Sequence, residues 1–113
     1  MNCLFCNIIQ KDIPAGIVYE DENILAFEDV NPQAPVHILV IPKKHIATAL
    51  DLSTEDNGLI GQMYQAANGI AKDRKIADNG FRLVMNCNRD AGQTVFHIHL
   101  HLLGGRPMTW PPG

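Results

Sequence analysis

Three of the five histidines, His97, His99 and His101, alternate along Val95 to Leu103. If that segment is one β-strand, its period of two sets the three imidazoles on one face and Phe96, Ile98, Leu100 and Leu102 on the other. A single histidine on such a face is commonly a satisfied core residue. Three in register each need partners for two ring nitrogens, at positions where β-propensity favours valine or threonine. Two chemistries compete for the row. A three-histidine zinc site is one, but on a regular strand His97 and His101 stand roughly 13 Å apart, while zinc takes its nitrogens at about 2.0 Å. The other is a catalytic row, in which the middle imidazole attacks and its neighbours orient it or bind substrate. An imidazole is largely neutral and nucleophilic at pH 7 and leaves readily from phosphorus, which suits a two-step nucleotidyl transfer. His37 can hold a second ring nitrogen and so fix a tautomer, as the orienting member of a triad does.

Other residues add to this row. Gly92 permits close backbone approach, and the amides of Gln93 and Thr94 can form a small anion nest, although such loops are also common in hairpins. Asp29 can accept two hydrogen bonds from a ribose diol, or can simply satisfy turn amides ahead of Pro32. Three cysteines cannot all pair within one chain, and Cys3-Leu4-Phe5-Cys6 in a reducing compartment points to metal or redox use more than to a structural disulfide.

The elements that must carry these groups are legible. Ile17 to Tyr19 and Ile24 to Phe27 are short strands around the acidic turn Glu20-Asp21-Glu22-Asn23. Val36 to Ile41 is apolar on both faces apart from His37, the pattern of a central strand, and Pro42 ends it. Ser53 with Asp56 three residues on predicts a helix start, and Leu59, Ile60, Met63, Ala66, Ala67, Ile70 and Ala71 form one buried stripe ending near Arg74. Asn79-Gly80 turns the chain into a strand over Phe81 to Asn86, and Gly104-Gly105 closes the histidine strand.

A chain of 113 residues holds one domain, 1–113, and not two cores. With 46% hydrophobic and 19% charged residues it is globular, and its net charge of −3 leaves no basic field for a nucleic-acid polymer, although a small nucleotide is allowed. No apolar run approaches the roughly 20 residues that cross a bilayer, and the start lacks the pattern of a signal peptide. A cytoplasmic protein with no membrane partner is expected. A small core, and a helix presenting Leu59, Met63 and Ile70 for burial, predict a homodimer.

His97-Ile98-His99-Leu100-His101-Leu102-Leu103, together with Asn31-Pro32-Gln33-Ala34-Pro35-Val36-His37 and Ile41-Pro42-Lys43-Lys44-His45, resembles the histidine triad superfamily, and most closely its nucleotide-binding branch. The likeness runs from Ile8-Ile9 to Trp110-Pro111-Pro112-Gly113. It implies an α+β fold with a five-stranded antiparallel sheet, one long helix and a short N-terminal helix, assembled as a dimer. It also implies hydrolysis of purine nucleoside phosphoramidates of the adenosine 5'-phosphoramidate type through a nucleotidyl-histidine, with no organic cofactor. By motif position His99 matches the nucleophile, and His37 and His101 its orienting and phosphate-side partners. Asp29 matches the ribose-binding acid, with Val30 beside the base. Asn86 and Gly92-Gln93-Thr94 match the phosphate-binding positions, Thr94 standing where serine is often found. Trp110 belongs to a tail that lies near the partner subunit's site. A subset of similar bacterial proteins holds zinc on four positions that are Cys3, Cys6, His45 and His97 here; the competing reading makes the cysteines small apolar staples and His45 a strand cap, but a Cys-x-x-Cys pair with two matching histidines favours zinc. Branches that transfer nucleotides to sugar phosphates carry glutamine in place of the last histidine, which is His101 here. The alternatives are a dinucleoside polyphosphate hydrolase and a zinc-stabilised nucleotide-binding scaffold with little turnover.

Overall fold

A computed structural model describes residues 2–113. A short helix α1 (Leu4–Ile9) precedes strands β1 (Ile17–Glu20), β2 (Ile24–Glu28) and β3 (Val36–Pro42). The long helix α2 (Asn57–Asp73) follows, then β4 (Phe81–Val84) and β5 (Leu100–Gly104). The five strands form one antiparallel sheet in the order β1-β2-β3-β5-β4. The expected α+β architecture, with its long and short helices, is therefore present.

The two-faced apolar character of β3 follows from what covers it. Ile38 and Val40 point toward α2 and join Met63, Ala67, Ile70 and Ala71 in the larger core. Leu39 and Ile41 point the opposite way and join Phe5, Cys6 and Ile8 of α1. The helix begins where its cap predicts: Ser53 and Asp56 form a reciprocal capping box over a 3-10 turn that leads into α2, and Arg74 is its C-cap. The stripe on α2 is occupied by its own sheet. Met63 is fully buried and Ile70 nearly so within the chain, and Leu59 packs against the same cluster, so these residues are not free to build a dimer contact.

The histidine segment departs from the expected strand. β5 starts at Leu100 rather than Val95, and β4 stops at Val84 rather than Asn86. The β3–β5 ladder ends at the Val40–Leu100 pair, because Pro42 closes β3 and the His97 carbonyl is taken by an imidazole instead of a strand amide. His101 thus lies in the sheet, opposite Leu39 and Val84, whereas His97 and His99 lie on irregular backbone leading into it.

Candidate active site and metal centre

Register brings the first pair together. His37 pairs with Leu103 and His101 with Leu39, so the two histidines are diagonal neighbours on one face. His37 Nε2 lies 2.9 Å from His101 Nδ1. The Gln33 amide donates to His37 Nδ1 at 3.0 Å, so that nitrogen is an acceptor and the ring proton sits on Nε2. His37 therefore donates to His101, which leaves the His101 proton on its own Nε2. Asp29 Oδ2 stands 3.4 Å from His37 Nε2, and Asp29 Oδ1 accepts from the Asn31 amide at 2.8 Å. The acid caps its turn and faces the histidines with the same carboxylate.

His99 is set by its own backbone. Its Nδ1 donates to the His97 carbonyl at 2.8 Å, and a carbonyl can only accept, so the unprotonated nitrogen is Nε2. Its ring centroid lies 4.9 Å from that of His101 and 5.1 Å from the edge-packed ring of Phe5. Burial pushes His37, His99 and His101 below the usual histidine value, and for His101 the neighbouring rings His99 and His37 add to burial and bring it to about 4. All three are neutral at pH 7. The contact between His37 and Asp29 is accordingly a weak polar one and not an ion pair.

Asp29, His99 and His101, but not His37, open onto a cavity of about 440 Å³ with an apolar wall from α1, Ile13, Phe27 and Leu39. Asp29, Val30, Thr94, His99 and His101 line it, whereas Asn86, Gly92 and Gln93 do not. The Gly92 and Gln93 amides bond within their own turn, to Arg89 and Asn88 carbonyls at 3.0 and 3.1 Å. The buried Gln93 side chain ties that loop to the carbonyls of Ala47 and Val95. Val30 is fully exposed at the cavity mouth.

The second cluster is Cys3, Cys6, His45 and His97, whose donor atoms all lie within 4.8 Å of one another. His97 Nε2 donates to the Pro42 carbonyl at 2.7 Å, which leaves the Nδ1 lone pair facing the sulfurs. In a tetrahedron with zinc–nitrogen bonds of about 2.05 Å and zinc–sulfur bonds of about 2.3 Å, nitrogens stand about 3.3 Å apart and nitrogen stands about 3.6 Å from sulfur. Here His45 Nδ1 and His97 Nδ1 are 3.2 Å apart, and three nitrogen–sulfur separations are 3.3, 3.5 and 3.6 Å. The donor set and spacing fit a closed zinc site. His97 and His101 belong to separate clusters, as their distance along the chain requires.

Three determinants of the site are backbone groups that no residue type encodes: the Gln33 amide, the Pro42 carbonyl and the His97 carbonyl. Phe5 is a fourth, legible only as one more apolar residue between the two cysteines.

Residues 2–110 match the family model described as scavenger mRNA decapping enzyme C-term binding. A crystal structure of a HIT family hydrolase from Legionella pneumophila Philadelphia 1 superposes with a TM-score of 0.98 at 56% identity, covering 99% of this chain and 100% of that one. The chain belongs to the histidine triad (HIT) family. A histidine triad protein from Clostridium difficile, 42% identical, superposes with a TM-score of 0.93 over 96% of this chain and 95% of that one. The purine nucleoside phosphoramidase of Escherichia coli strain K12 is 50% identical over 105 residues, which are 93% of this HIT protein and 88% of its relative. The protein is a HIT enzyme, and its histidines stand on β3 (His37), on β5 (His101) and on the irregular segment leading into β5 (His97 and His99).

Proposed function

We propose that this enzyme hydrolyses purine nucleoside phosphoramidates to the nucleoside monophosphate and an amine. The observation that carries the reading is His99: its Nδ1 proton is held by the His97 carbonyl, burial keeps the ring neutral, and it lines the cavity. The purine phosphoramidase named above, half identical over nearly the whole chain, supports the substrate class.

In this reading His99 Nε2 attacks the α-phosphorus, a phosphorus–nitrogen bond forms to the enzyme, and the bond to the leaving amine breaks as that nitrogen gains a proton. Water then attacks the nucleotidyl-histidine, returns the electron pair to Nε2 and releases the monophosphate. His101, whose Nδ1 is occupied by His37, presents its Nε2 proton to a phosphate oxygen. Asp29 receives the ribose diol and Val30 lies against the purine. In the phosphate loop the Thr94 amide is the donor without a backbone partner among the described residues, and its hydroxyl serves the departing amine. Gly92 and Gln93 act from behind the cavity, by holding the turn that presents Thr94. Cys3, Cys6, His45 and His97 would hold zinc, which would cross-link the N-terminal helix to the histidine segment without contacting the substrate.

The reading extends to a cytoplasmic homodimer. Three free thiols suit a reducing compartment, and no helix is long and apolar enough to cross a membrane. Trp110, 81% exposed beside Arg82 of the edge strand β4, and the outward Tyr64 of α2 are apolar surface available to a partner. The deciding experiment is quenched-flow mass spectrometry with adenosine 5'-phosphoramidate, beside a dinucleoside polyphosphate as competitor substrate. An acid-labile monophosphate adduct on the peptide containing His99 is expected. An adduct elsewhere, or faster cleavage of the dinucleoside polyphosphate, overturns the assignment.

A further inference from the structure

The metal centre and the nucleotide cavity share material. Leu4, between the two cysteine ligands, and Thr94 and Val95, just ahead of His97, line both the nucleotide cavity and a second hollow of about 470 Å³ beside Cys3 and His45. Phe5 is held in the same way. It lies between Cys3 and Cys6, and its ring packs edge-on against His97 at 5.9 Å and His99 at 5.1 Å.

The segment that carries the nucleophile lacks the support a strand would give it. From Val95 to His99 it lies outside the sheet, joined to neighbouring backbone through the Ile98 amide on the Ile46 carbonyl at 2.8 Å. Ile98 anchors it in the larger core, and its remaining polar holds are the Gln93 side chain on Val95, the His97 ring on Pro42, and the ligand position of His97 itself. One residue thus faces both ways. His97 offers Nδ1 to the metal, while its carbonyl sets the tautomer of His99.

The geometry points to the metal centre as the positioning device of the active site: with zinc bound, His97 and Phe5 hold the His99 ring and the α1 wall, so that zinc and nucleotide bind cooperatively. This rests on the functional reading above for the roles of His99 and the cavity. Phe5 and His97 act as positioning residues, since neither is assigned a contact with the reacting atoms. Linkage makes the effect reciprocal, because whatever factor zinc adds to nucleotide affinity the nucleotide adds to zinc affinity.

The test measures zinc affinity by competition with a chromophoric chelator, with and without saturating AMP. AMP is expected to tighten zinc about tenfold, within the range of ordinary coupling between sites, and zinc to tighten AMP by the same factor. Phe5→Ala keeps all four ligands, and the coupling, read as the ratio of its zinc affinities with and without AMP, should fall toward unity whatever its own zinc affinity. Coupling that persists undiminished in Phe5→Ala reflects global folding alone and overturns the proposal. His45→Asn supplies the second variant: its zinc affinity drops, and its AMP affinity should be recovered by raising zinc. Long-range proton–nitrogen spectra give a readout apart from affinity, because zinc-loaded protein should show His99 as one Nδ1-protonated tautomer and zinc-stripped folded protein a mixture. The same single tautomer in both states contradicts the idea. Equal zinc affinity with and without AMP, in protein that does hydrolyse the phosphoramidate, removes the coupling alone. Absence of both AMP binding and hydrolysis removes the functional reading and the coupling with it.

Discussion

His99 and His101 differ in what their second nitrogen does, and that difference separates their expected phenotypes. His99 has Nδ1 on a carbonyl and Nε2 unprotonated, while His101 has Nδ1 on His37 and carries its proton on Nε2. Asn at position 99 preserves a donor for the His97 carbonyl and removes the ring nitrogen proposed as the nucleophile. His99→Asn should therefore bind AMP with near-parental affinity while phosphoramidate turnover falls by at least about 10³-fold, read from single-turnover kinetics and calorimetry. His101→Ala should turn over slowly yet still accumulate a labelled His99, since it loses a phosphate contact and keeps the attacking ring. Near-normal turnover in His99→Asn is incompatible with covalent catalysis at His99.

At the level of the element, the turn that feeds His37 is held from outside the sheet. Arg106 donates through Nε and Nη2 to the Gln33 carbonyl at 3.3 and 3.0 Å, and the adjacent Gly105 has φ +89°. A Cβ on Gly105 would lie 2.8 Å from Pro35 Cβ, whereas one on Gly92, with φ +88°, meets open space. Both alanine variants carry the left-handed strain of about 1–2 kcal/mol, but only Gly105→Ala adds a clash. Urea unfolding should show Gly105→Ala as the less stable of the two, and its turnover should fall with the displaced Gln33 amide. The N-terminal helix makes a separate prediction. Burial beside Cys3 pushes the Cys6 thiol up to about 11, so zinc must displace its proton. Chelator competition should find zinc affinity falling about tenfold or more for each unit of pH lowered below 8. Protein purified without an affinity tag should contain about one zinc per chain, and stripping it should lower the unfolding midpoint by about 10 °C or more. A metal-free protein of equal stability would refute the zinc assignment.

For the molecule as a whole, stability and assembly are the measurable quantities. The folded chain keeps His101 neutral down to about pH 4, while an unfolded histidine protonates near pH 6.5. Between those values the unfolded state binds more protons, so this contribution is fully present above about pH 6.5 and is lost as pH falls toward 4. The denaturation midpoint should accordingly be lower at pH 5 than at pH 7.5 in His101-containing protein, with a smaller difference in His101→Gln. Sedimentation at micromolar concentration should give twice the 12.5 kDa chain mass. Because Met63 and Ile70 are buried within one chain, the contact is expected on Tyr64, the β4 edge and the Trp110 tail, and Tyr64→Arg should shift the protein toward monomer. A parental monomer at that concentration would refute the dimer.

Residue types and periods determined much of this molecule. The continuous apolar run of β3, the apolar stripe of α2 and its Ser53–Asp56 cap are local patterns with one low-energy outcome each, so their elements were legible in the chain. The motif spacing likewise carried the family, and Cys3, Cys6, His45 and His97 do converge. The path from Val95 to His99 was not legible, because its alternation is that of a strand and nothing local says otherwise. Whether it pairs depends on where Pro42 ends β3 and on which donor takes the His97 carbonyl, both decided across the fold. The same holds for tautomers: Gln33, Pro42 and His97 act through backbone atoms, which every residue carries. Only the tertiary arrangement chooses which of those atoms meets an imidazole, and that choice gives three histidines of one row three different environments: His97 on the Pro42 carbonyl and among the cysteines, His99 on the His97 carbonyl, and His101 on His37.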